Sequence, residues 1–266
     1  MKSLLKPYAD VLRSKNLGVS RWNLLETLAL LAIRKRVSSH KPVSARLGRW
    51  KITAPDYDTL SFLLKEKFAE QEYVFQAATQ DPVIVDCGAH IGVSLLYFKT
   101  LYPLSTVHCF EPAHEMFAFL QKNVEWNNLM NVHLYRKAVY SNNTAAMLYL
   151  SKQGKNINYS LLDSNNNVAT ETVDVIRLSQ FLKPFEKVDL LKIDIEGSEP
   201  EVIRDLHQEG LLSAGKIKLL IVEFHQSMFA NSNKLDDTIS MLKQNNYRLE
   251  VRPHFSDYLV RAKLET

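Results

Sequence analysis

The hydrophobic pattern of this chain becomes, from about residue 83, a regular alternation of short apolar runs and longer helical patterns. The apolar runs predict buried strands at 83–85, 106–110, 132–135, 188–195 and 217–224. Helical patterns follow four of these runs, at 93–102, 113–126, 200–207 and 234–245. Two last strands, at 247–252 and 257–264, have so short a connection that they must be antiparallel neighbours. The alternation predicts an α/β fold with a mostly parallel seven-stranded sheet and an antiparallel last strand.

The segment before this alternation has a different pattern. Residues 1–45 are predicted to form two helical pieces divided near Gly18, followed by a short strand-like run at 46–52 and an amphipathic helix at 58–69. We therefore predict a helical extension or cover at 1–70.

The main domain is predicted to cover residues 71–266. Within it, about 140–170 is rich in Asn and Ser and predicts a hairpin insertion. Insertions of this kind can line a pocket.

Composition changes this picture little. The net charge of +4 is too small and too dispersed to predict nucleic-acid binding. Cys87 and Cys109 both end apolar runs, so we expect buried reduced thiols and a cytoplasmic location. The oligomeric state cannot be read from the sequence.

The N-terminal segment predicts neither a signal peptide nor stable membrane insertion. Its longest apolar stretch, 24–33, contains Glu26 and is too short to cross a bilayer. The basic trio Arg34, Lys35 and Arg36 allows a helix on a membrane surface. A helix packed on the domain with a solvated positive end explains the same residues, and we favour it.

The first strand leads into the string VIVDCGAHIG, which predicts a strand, a tight turn and a helix start. Asp86 precedes two glycines, Gly88 and Gly92, which allow a ligand to approach the backbone closely. The spacing differs from the G-x-G-x-x-G fingerprint of nicotinamide and flavin sites. We therefore expect another nucleoside-bearing ligand and disfavour an oxidoreductase.

Polar residues cluster where the predicted parallel strands end, which is where ligands bind in open α/β sheets. They are Asp86 and His90, Glu111, Asp194 and Glu196, and Glu223 and His225. Glu111 can accept hydrogen bonds from both ribose hydroxyls of a nucleoside, and its charge disfavours a 2′-phosphate.

Four strings, in this order, resemble the FkbM family of S-adenosylmethionine-dependent methyltransferases. They are VIVDCGAHIG, FEPAHEMFAFLQKNVEWNNL, VDLLKIDIEGSEPEVI and IKLLIVEFH, of which KIDIEGSE is the most specific. The resemblance implies a Rossmann-like methyltransferase fold and O-methylation of a sugar, glycan or natural product. It also implies a set of S-adenosylmethionine-binding residues: Asp86, Gly88, Ala89, His90, Gly92, Glu111, Pro112, Ala138, Val139 and Asp194.

Methyl transfer to a hydroxyl requires alignment of the reactants and a proton acceptor. The catalytic candidates are Asp194, Lys192, Glu196 and His225. Lys192, Asp194 and Glu196 share a strand face if the strand continues that far, although a structural ion-pair network explains them as well. His225 is the other candidate base, and a satisfied buried histidine is its alternative.

Two further interpretations stay open at this point. One is a binding protein that retains the nucleoside pocket without turnover, as a sensor or scaffold that is associated with a membrane surface. The other is a cation site that includes Glu196, Glu223 and His225, but no compact ligand spacing supports it and we predict no metal.

Overall fold

The structure is a computed structural model that describes residues 19–37, 42–153, 156–162, 167–225, 233–254 and 257–265. The helices are α1 Arg21–Val37, α2 Tyr57–Leu64, α3 Val93–Leu101, α4 His114–Trp126, α5 Leu178–Leu182, α6 Glu199–Gln208 and α7 Lys234–Gln244, with a π-helical turn at Lys65–Ala69. The strands are β1 Val43–Leu47, β2 Trp50–Ala54, β3 Val83–Cys87, β4 Thr106–Phe110, β5 Val132–Tyr135, β6 Ala138–Tyr140, β7 Ala146–Gln153, β8 Asn156–Ser160, β9 Asn167–Val173, β10 Val175–Arg177, β11 Leu190–Ile193, β12 Leu219–Phe224, β13 Tyr247–His254 and β14 Asp257–Leu264.

Backbone contacts divide the chain into two compact units. The first comprises 1–81, 89–105 and 115–132, and the second comprises 82–88, 106–114 and 133–266. Helices α3 and α4 group with the first unit, and the domain boundary near residue 70 stays a prediction.

The second unit contains a seven-stranded sheet with the strand order β13-β14-β12-β11-β3-β4-β5. Strands β4, β3, β11 and β12 pair in parallel, and β14 runs antiparallel between β12 and β13. The predicted α/β Rossmann-like methyltransferase fold, with an antiparallel last strand, is confirmed. The chain leaves β3 toward β4 on one side, whereas β11 lies on the other side, so the carboxyl ends of β3 and β11 form the switch point of the sheet.

Burial explains why these runs form strands. All four residues of β11 are buried, as are the last four of β3. Strands that are covered on both faces read as largely apolar runs, and the charged residues of these two strands, Asp86 and Lys192, are buried with the others. Cys87 and Cys109 are buried free thiols, as predicted.

The predicted insertion region contains a three-stranded antiparallel sheet in the order β8-β7-β9. Ser160, at the end of β8, is buried and donates its hydroxyl to the carbonyl oxygen of Glu196 over 2.6 Å. The insertion is therefore tied to the loop that follows β11.

The first unit differs from the sequence prediction in two places. The strand-like run at 46–52 is a hairpin of two strands, because Gly48, with φ of +56°, reverses the chain between β1 and β2. The predicted helix at 58–69 is α-helical only to Leu64 and continues as the π-helical turn. Among the residues that the structure describes, no helix is long and apolar enough to span a bilayer.

Candidate active site

Gly88 follows β3 directly and lies within 4 Å of the backbone at the end of β11. Its φ is +83°, and a Cβ atom added there would lie 1.8 Å from the carbonyl oxygen of Asp194. Its amide N–H donates to the carbonyl oxygen of Phe110, over 2.9 Å, at the end of β4. Only glycine fits a position where three strand ends meet so closely.

The buried side chain of Lys192 fixes the backbone of this turn. Nζ of Lys192 donates to the carbonyl oxygens of Gly88 (2.5 Å) and Cys87 (3.2 Å). It also lies 3.1 Å from Oδ1 of Asp86 and 3.3 Å from Oδ2 of Asp194. Asp86 is fully buried within β3. The charge of Asp86 is therefore balanced inside the protein by Lys192, which at the same time fixes the backbone of the turn.

The rest of the predicted loop, from Ala89 to Gly92, belongs to the first unit. Ala89 is buried, His90 has a positive φ of 51°, and Gly92 begins α3 with a φ of +85°. Asn123 of α4 is buried and donates its amide to the carbonyl oxygen of Ile91 over 2.8 Å. This half of the loop is thus held by a side chain that sequence reasoning did not select.

Glu111 follows β4, the strand next to β3. Its carboxylate is buried, and Oε1 accepts the N–H of Ala113 over 2.9 Å. Pro112, next in the chain, is partly exposed. Ala138 and Val139 lie buried on β6, which pairs in parallel with β10.

The loop after β11 carries the second group of candidates. The strand ends at Ile193, so it does not continue far enough for strand alternation to place Glu196 on the face of Lys192. Glu196 instead has a φ of +53° and is followed by Gly197 with a φ of +101°. A non-glycine residue in this region stores backbone strain, and such strain is concentrated at functional sites.

Glu199, the first residue of α6, organises this loop. It is fully buried, and its Oε1 atom accepts the N–H of Ile195 over 3.1 Å. The N–H of Gly197 donates to both carboxylate oxygens, over 3.1 and 3.0 Å. The same Oε1 lies 2.8 Å from Nδ1 of His225. Because the carboxylate of Glu199 accepts from Nδ1, the hydrogen of the neutral His225 ring lies on Nδ1. Nε2, on the other side of the ring, is then the nitrogen that can accept a proton.

His225 follows β12 and turns Nε2 toward the loop after β11. Nε2 lies 3.4 Å from Oε2 of Glu196 and 3.9 Å from Oδ1 of Asp194. The predicted candidates Lys192, Asp194, Glu196 and His225 therefore do come together at the ends of β11 and β12, although Lys192 is almost fully buried beneath them.

Burial and the neighbouring carboxylates shift the pKa values of Glu196 and His225, whose side chains face each other here. The pKa of Glu196 is raised to about 7, chiefly because its charged form is desolvated. Burial alone would lower the pKa of His225, but the carboxylate of Glu199 and, less strongly, those of Glu196 and Asp194 hold it well above 6.5.

The ligand atoms of Asp194, Glu196 and His225 all lie within 4.8 Å of one another, so this group could also hold a divalent cation. The sequence spacing did not indicate this proximity. Glu223, considered with them in the sequence, is not part of this group, and its Oε1 atom lies 3.5 Å from Nε2 of His254. The absence of a metal stays a prediction.

Sequence reasoning missed the carboxylate that orients His225. Glu199 stands within the string KIDIEGSE, yet it is 26 residues away from His225 in the chain. The available signal was its position in the first turn of a helix, where carboxylates accept backbone N–H groups.

Comparison with known proteins identifies the class. Residues 86–249 match the family model described as the methyltransferase FkbM domain. Because this match covers more than half of the 266 residues, the protein belongs to the FkbM methyltransferase family. The resemblance that the sequence strings indicated is confirmed.

Individual relatives carry the same description. "Methyltransferase 1" of Beauveria bassiana is 34% identical over an alignment of 170 positions that covers 56% of this chain and 68% of the relative. "31-O-demethyl-FK506 methyltransferase FkbM" of Streptomyces tacrolimicus is 25% identical over an alignment of 217 positions that covers 70% of this chain and 81% of the relative. Among solved structures, M. jannaschii TYW2 in complex with AdoMet is 10% identical, with 85% of this chain and 86% of that chain covered and a TM-score of 0.48.

Proposed function

We propose that this methyltransferase transfers a methyl group from S-adenosylmethionine to a hydroxyl group of a sugar, glycan or natural product. The observation that carries the proposal is the pair formed by buried Glu199 and His225, which leaves Nε2 facing Asp194 and Glu196. The Streptomyces relative is named for a 31-O-demethyl substrate, and a methyltransferase that acts on such a substrate supports the same chemistry.

The residues of the second unit fit the cofactor. Gly88 has a conformation that only glycine adopts freely, and Glu111 places a carboxylate after the neighbouring strand. Gly88 would face the cofactor with its backbone, Glu111 would accept hydrogen bonds from ribose hydroxyls, and Ala138 and Val139 would provide an apolar contact for the adenine. When bound, S-adenosylmethionine supplies a methyl group that is activated by its positive sulfur.

The protein's own task is then to position the hydroxyl and take its proton. Nε2 of His225 accepts the proton that the acceptor hydroxyl loses, and Glu199 stabilises the imidazolium that forms. Lys192 acts as a positioning residue, since its ammonium holds the Gly88 turn and Asp194 without reaching the surface. Asp194 and Glu196 are proposed to hold the acceptor by hydrogen bonds.

The pH dependence follows from the raised pKa of His225. The base must be neutral to accept a proton, so turnover rises with pH, and its inflection lies above pH 6.5. Oε2 of Glu196, whose pKa burial raises to about 7, lies 3.4 Å from Nε2 of His225, so the charge of each group affects the protonation of the other.

Calorimetry with S-adenosylmethionine and S-adenosylhomocysteine tests the cofactor assignment, and mass spectrometry for a gain of one methyl group on a panel of hydroxylated acceptors tests the reaction. Glu111→Ala is expected to weaken cofactor binding about 10- to 100-fold, the worth of a hydrogen bond to a charged group. His225→Ala is expected to lower turnover by about 100-fold or more while retaining the cofactor. Glu223→Gln, at the same sheet edge, is the control and should change neither.

Three outcomes would contradict this proposal. Failure to bind either S-adenosylmethionine or S-adenosylhomocysteine would show that S-adenosylmethionine is not the methyl donor. Binding without transfer to any acceptor would instead favour the sensor or scaffold. If EDTA abolishes turnover and Mg²⁺ or Mn²⁺ restores it, a cation held by Asp194, Glu196 and His225 takes part in the reaction, and His225 is not the proton acceptor.

A further inference from the structure

Helix α1 in the first unit is apolar on two opposite faces. Leu24, Leu28 and Leu31 are buried, at 0–3% exposure. The opposite side carries large apolar side chains that are open to solvent: Trp22 (76% exposed), Leu30 (43%), Ile33 (57%) and Val37 (77%). We call these four residues the α1 stripe. A surface helix normally turns a polar face to water, so the α1 stripe needs an explanation.

The four positions lie on one side of the helix, with the exposed Glu26 between Trp22 and Leu30. Their spacings of eight, three and four residues return to the same side of a helix at each step. Glu26 lies within the stripe and is the only acidic residue of α1. The stripe is followed by Arg34, Lys35 and Arg36 in the last turn of the helix.

The basic end of α1 is only partly used by the fold. Lys35 forms an ion pair with Asp58, and Arg34 donates to the carbonyl oxygen of Ser44 at the long distance of 3.5 Å. All three side chains of the trio are exposed. Their stems can therefore extend along an apolar surface while the charges stay in a polar layer.

Charge along the whole sequence is divided at the same place. Residues 1–41 contain nine Lys and Arg against two Asp and Glu, a net charge of +7. The remaining 225 residues contain 24 basic and 27 acidic residues, a net charge of −3. The small positive charge of the chain therefore conceals a strongly basic N-terminal segment beside an acidic remainder.

We propose that the α1 stripe docks onto an anionic lipid bilayer, with α1 lying in the plane of the interface. An apolar stripe with an interfacial Trp, followed by basic residues, is the pattern of a helix that lies on a membrane. Four exposed apolar side chains favour lipid over nucleic acid, which offers phosphates and bases but no hydrocarbon layer. Net charge of +7 complements the negative surface of the bilayer.

The test is co-sedimentation of the full chain with vesicles of phosphatidylcholine alone or of phosphatidylcholine with phosphatidylserine. Binding is expected to the second vesicles and not to the first. Binding should weaken with salt, because each basic residue near the surface contributes about fivefold to partitioning. Trp22 emission should shift to the blue on binding, and Trp22→Phe should remove that shift.

Matched variants separate the two contributions. Trp22→Ser with Ile33→Ser should lose most vesicle binding. The control, Leu104→Ser with Met130→Ser, removes apolar side chains of similar exposure outside α1 and should leave binding intact.

The charges are tested in the same way. Arg34→Gln with Arg36→Gln should weaken binding to phosphatidylserine vesicles about 25-fold, from the fivefold contribution of each charge. Lys243→Gln with Arg248→Gln removes two exposed basic residues of the second unit and should change little.

The proposal is overturned if the wild-type chain fails to sediment with phosphatidylserine vesicles at low salt. It is also overturned if the stripe variant binds as the wild type does, since attraction would then be electrostatic alone. If the stripe variant binds RNA as well as the wild type does, and also binds vesicles as well as the wild type does, the basic residues form a general polyanion site instead. Thermal unfolding of each variant verifies folding, and none of these results depends on the proposed methyl transfer.

Discussion

Glu199→Gln is the substitution that tests the candidate site most directly. The side chain keeps its shape and loses its charge. Glu199 accepts two backbone N–H groups and the Nδ1 hydrogen of His225 while fully buried. All three donors reach Oε1, so a glutamine whose oxygen takes that place still accepts from them. Its NH₂ group then stands where Oε2 accepts the N–H of Gly197 over 3.0 Å, so one donor faces another.

The magnitude follows from the contacts that are lost. A hydrogen bond to a charged group contributes about 1.5–3 kcal/mol, and a buried donor left without an acceptor costs about 1–3 kcal/mol. Loss of one such contact should lower the free energy of unfolding by about 2–4 kcal/mol. This is smaller than the total stability of most domains of this size, so the variant should still fold.

The turnover number of Glu199→Gln should fall by a larger factor than the loss of stability alone would cause. Without the carboxylate, His225 is held less firmly in the tautomer that leaves Nε2 as the acceptor, and the imidazolium is not stabilised. We expect the turnover number to fall about 100-fold or more, with little change in cofactor binding. The pKa of His225 should also fall, because the strongest interaction that raises it is removed. The inflection of the pH–rate profile should therefore move toward acid.

Stability should change with pH in a related way. The folded-state pKa of His225 lies above its unfolded value, so the stabilisation is fully present below about pH 6.5 and is lost as pH rises through the folded pKa. In Glu199→Gln this part of the pH dependence should shrink. Urea unfolding at a series of pH values measures it, alongside the pH–rate profile.

Glu201→Gln is the matched control, since it lies on the same helix and pairs with Lys234 over 2.8 Å at a partly exposed position. It should change stability by no more than about 1 kcal/mol and leave turnover unchanged. The reasoning is refuted if Glu199→Gln folds, binds cofactor and keeps both its turnover and its pH inflection.

Two more substitutions test the turn after β3. Gly88→Ala should prevent correct folding or cofactor binding, because its Cβ would lie 1.8 Å from the Asp194 carbonyl oxygen. Gly215→Ala is the control, since Gly215 also has a positive φ, of 65°, but the nearest atom to an added Cβ is 3.6 Å away. It should lower the free energy of unfolding by about 1–2 kcal/mol, measured by thermal unfolding. Lys192→Met should lower the free energy of unfolding by about 3–5 kcal/mol, because it leaves the fully buried Asp86 without its cation. The double variant with Asp86→Asn should lose less than the sum of the two single variants, and additive losses would contradict the ion pair.

Local sequence determined the order of elements in the second unit and the chemistry at its strand ends. The runs at 106–110 and 132–135 coincide with β4 and β5, and the run at 83–85 lies within β3, whose last four residues are buried. A strand that is covered on both faces has a largely apolar sequence, which is why β3 could be predicted. The Gly88 turn was also predictable, since its conformation is one that glycine adopts without strain. The family could be predicted because its strings are consecutive residues.

Tertiary structure alone decided which of these residues act together. The pairing of Glu199 with His225, the burial of Lys192 beneath the turn and the end of β11 at Ile193 all depend on the parallel pairing of β11 with its neighbours. Contacts between distant residues have no local signature, since periodicity reports which face of an element is covered and not by what. For the same reason, the two apolar faces of α1 read in the sequence as one apolar helix, and only the fold determined which face remained open to solvent.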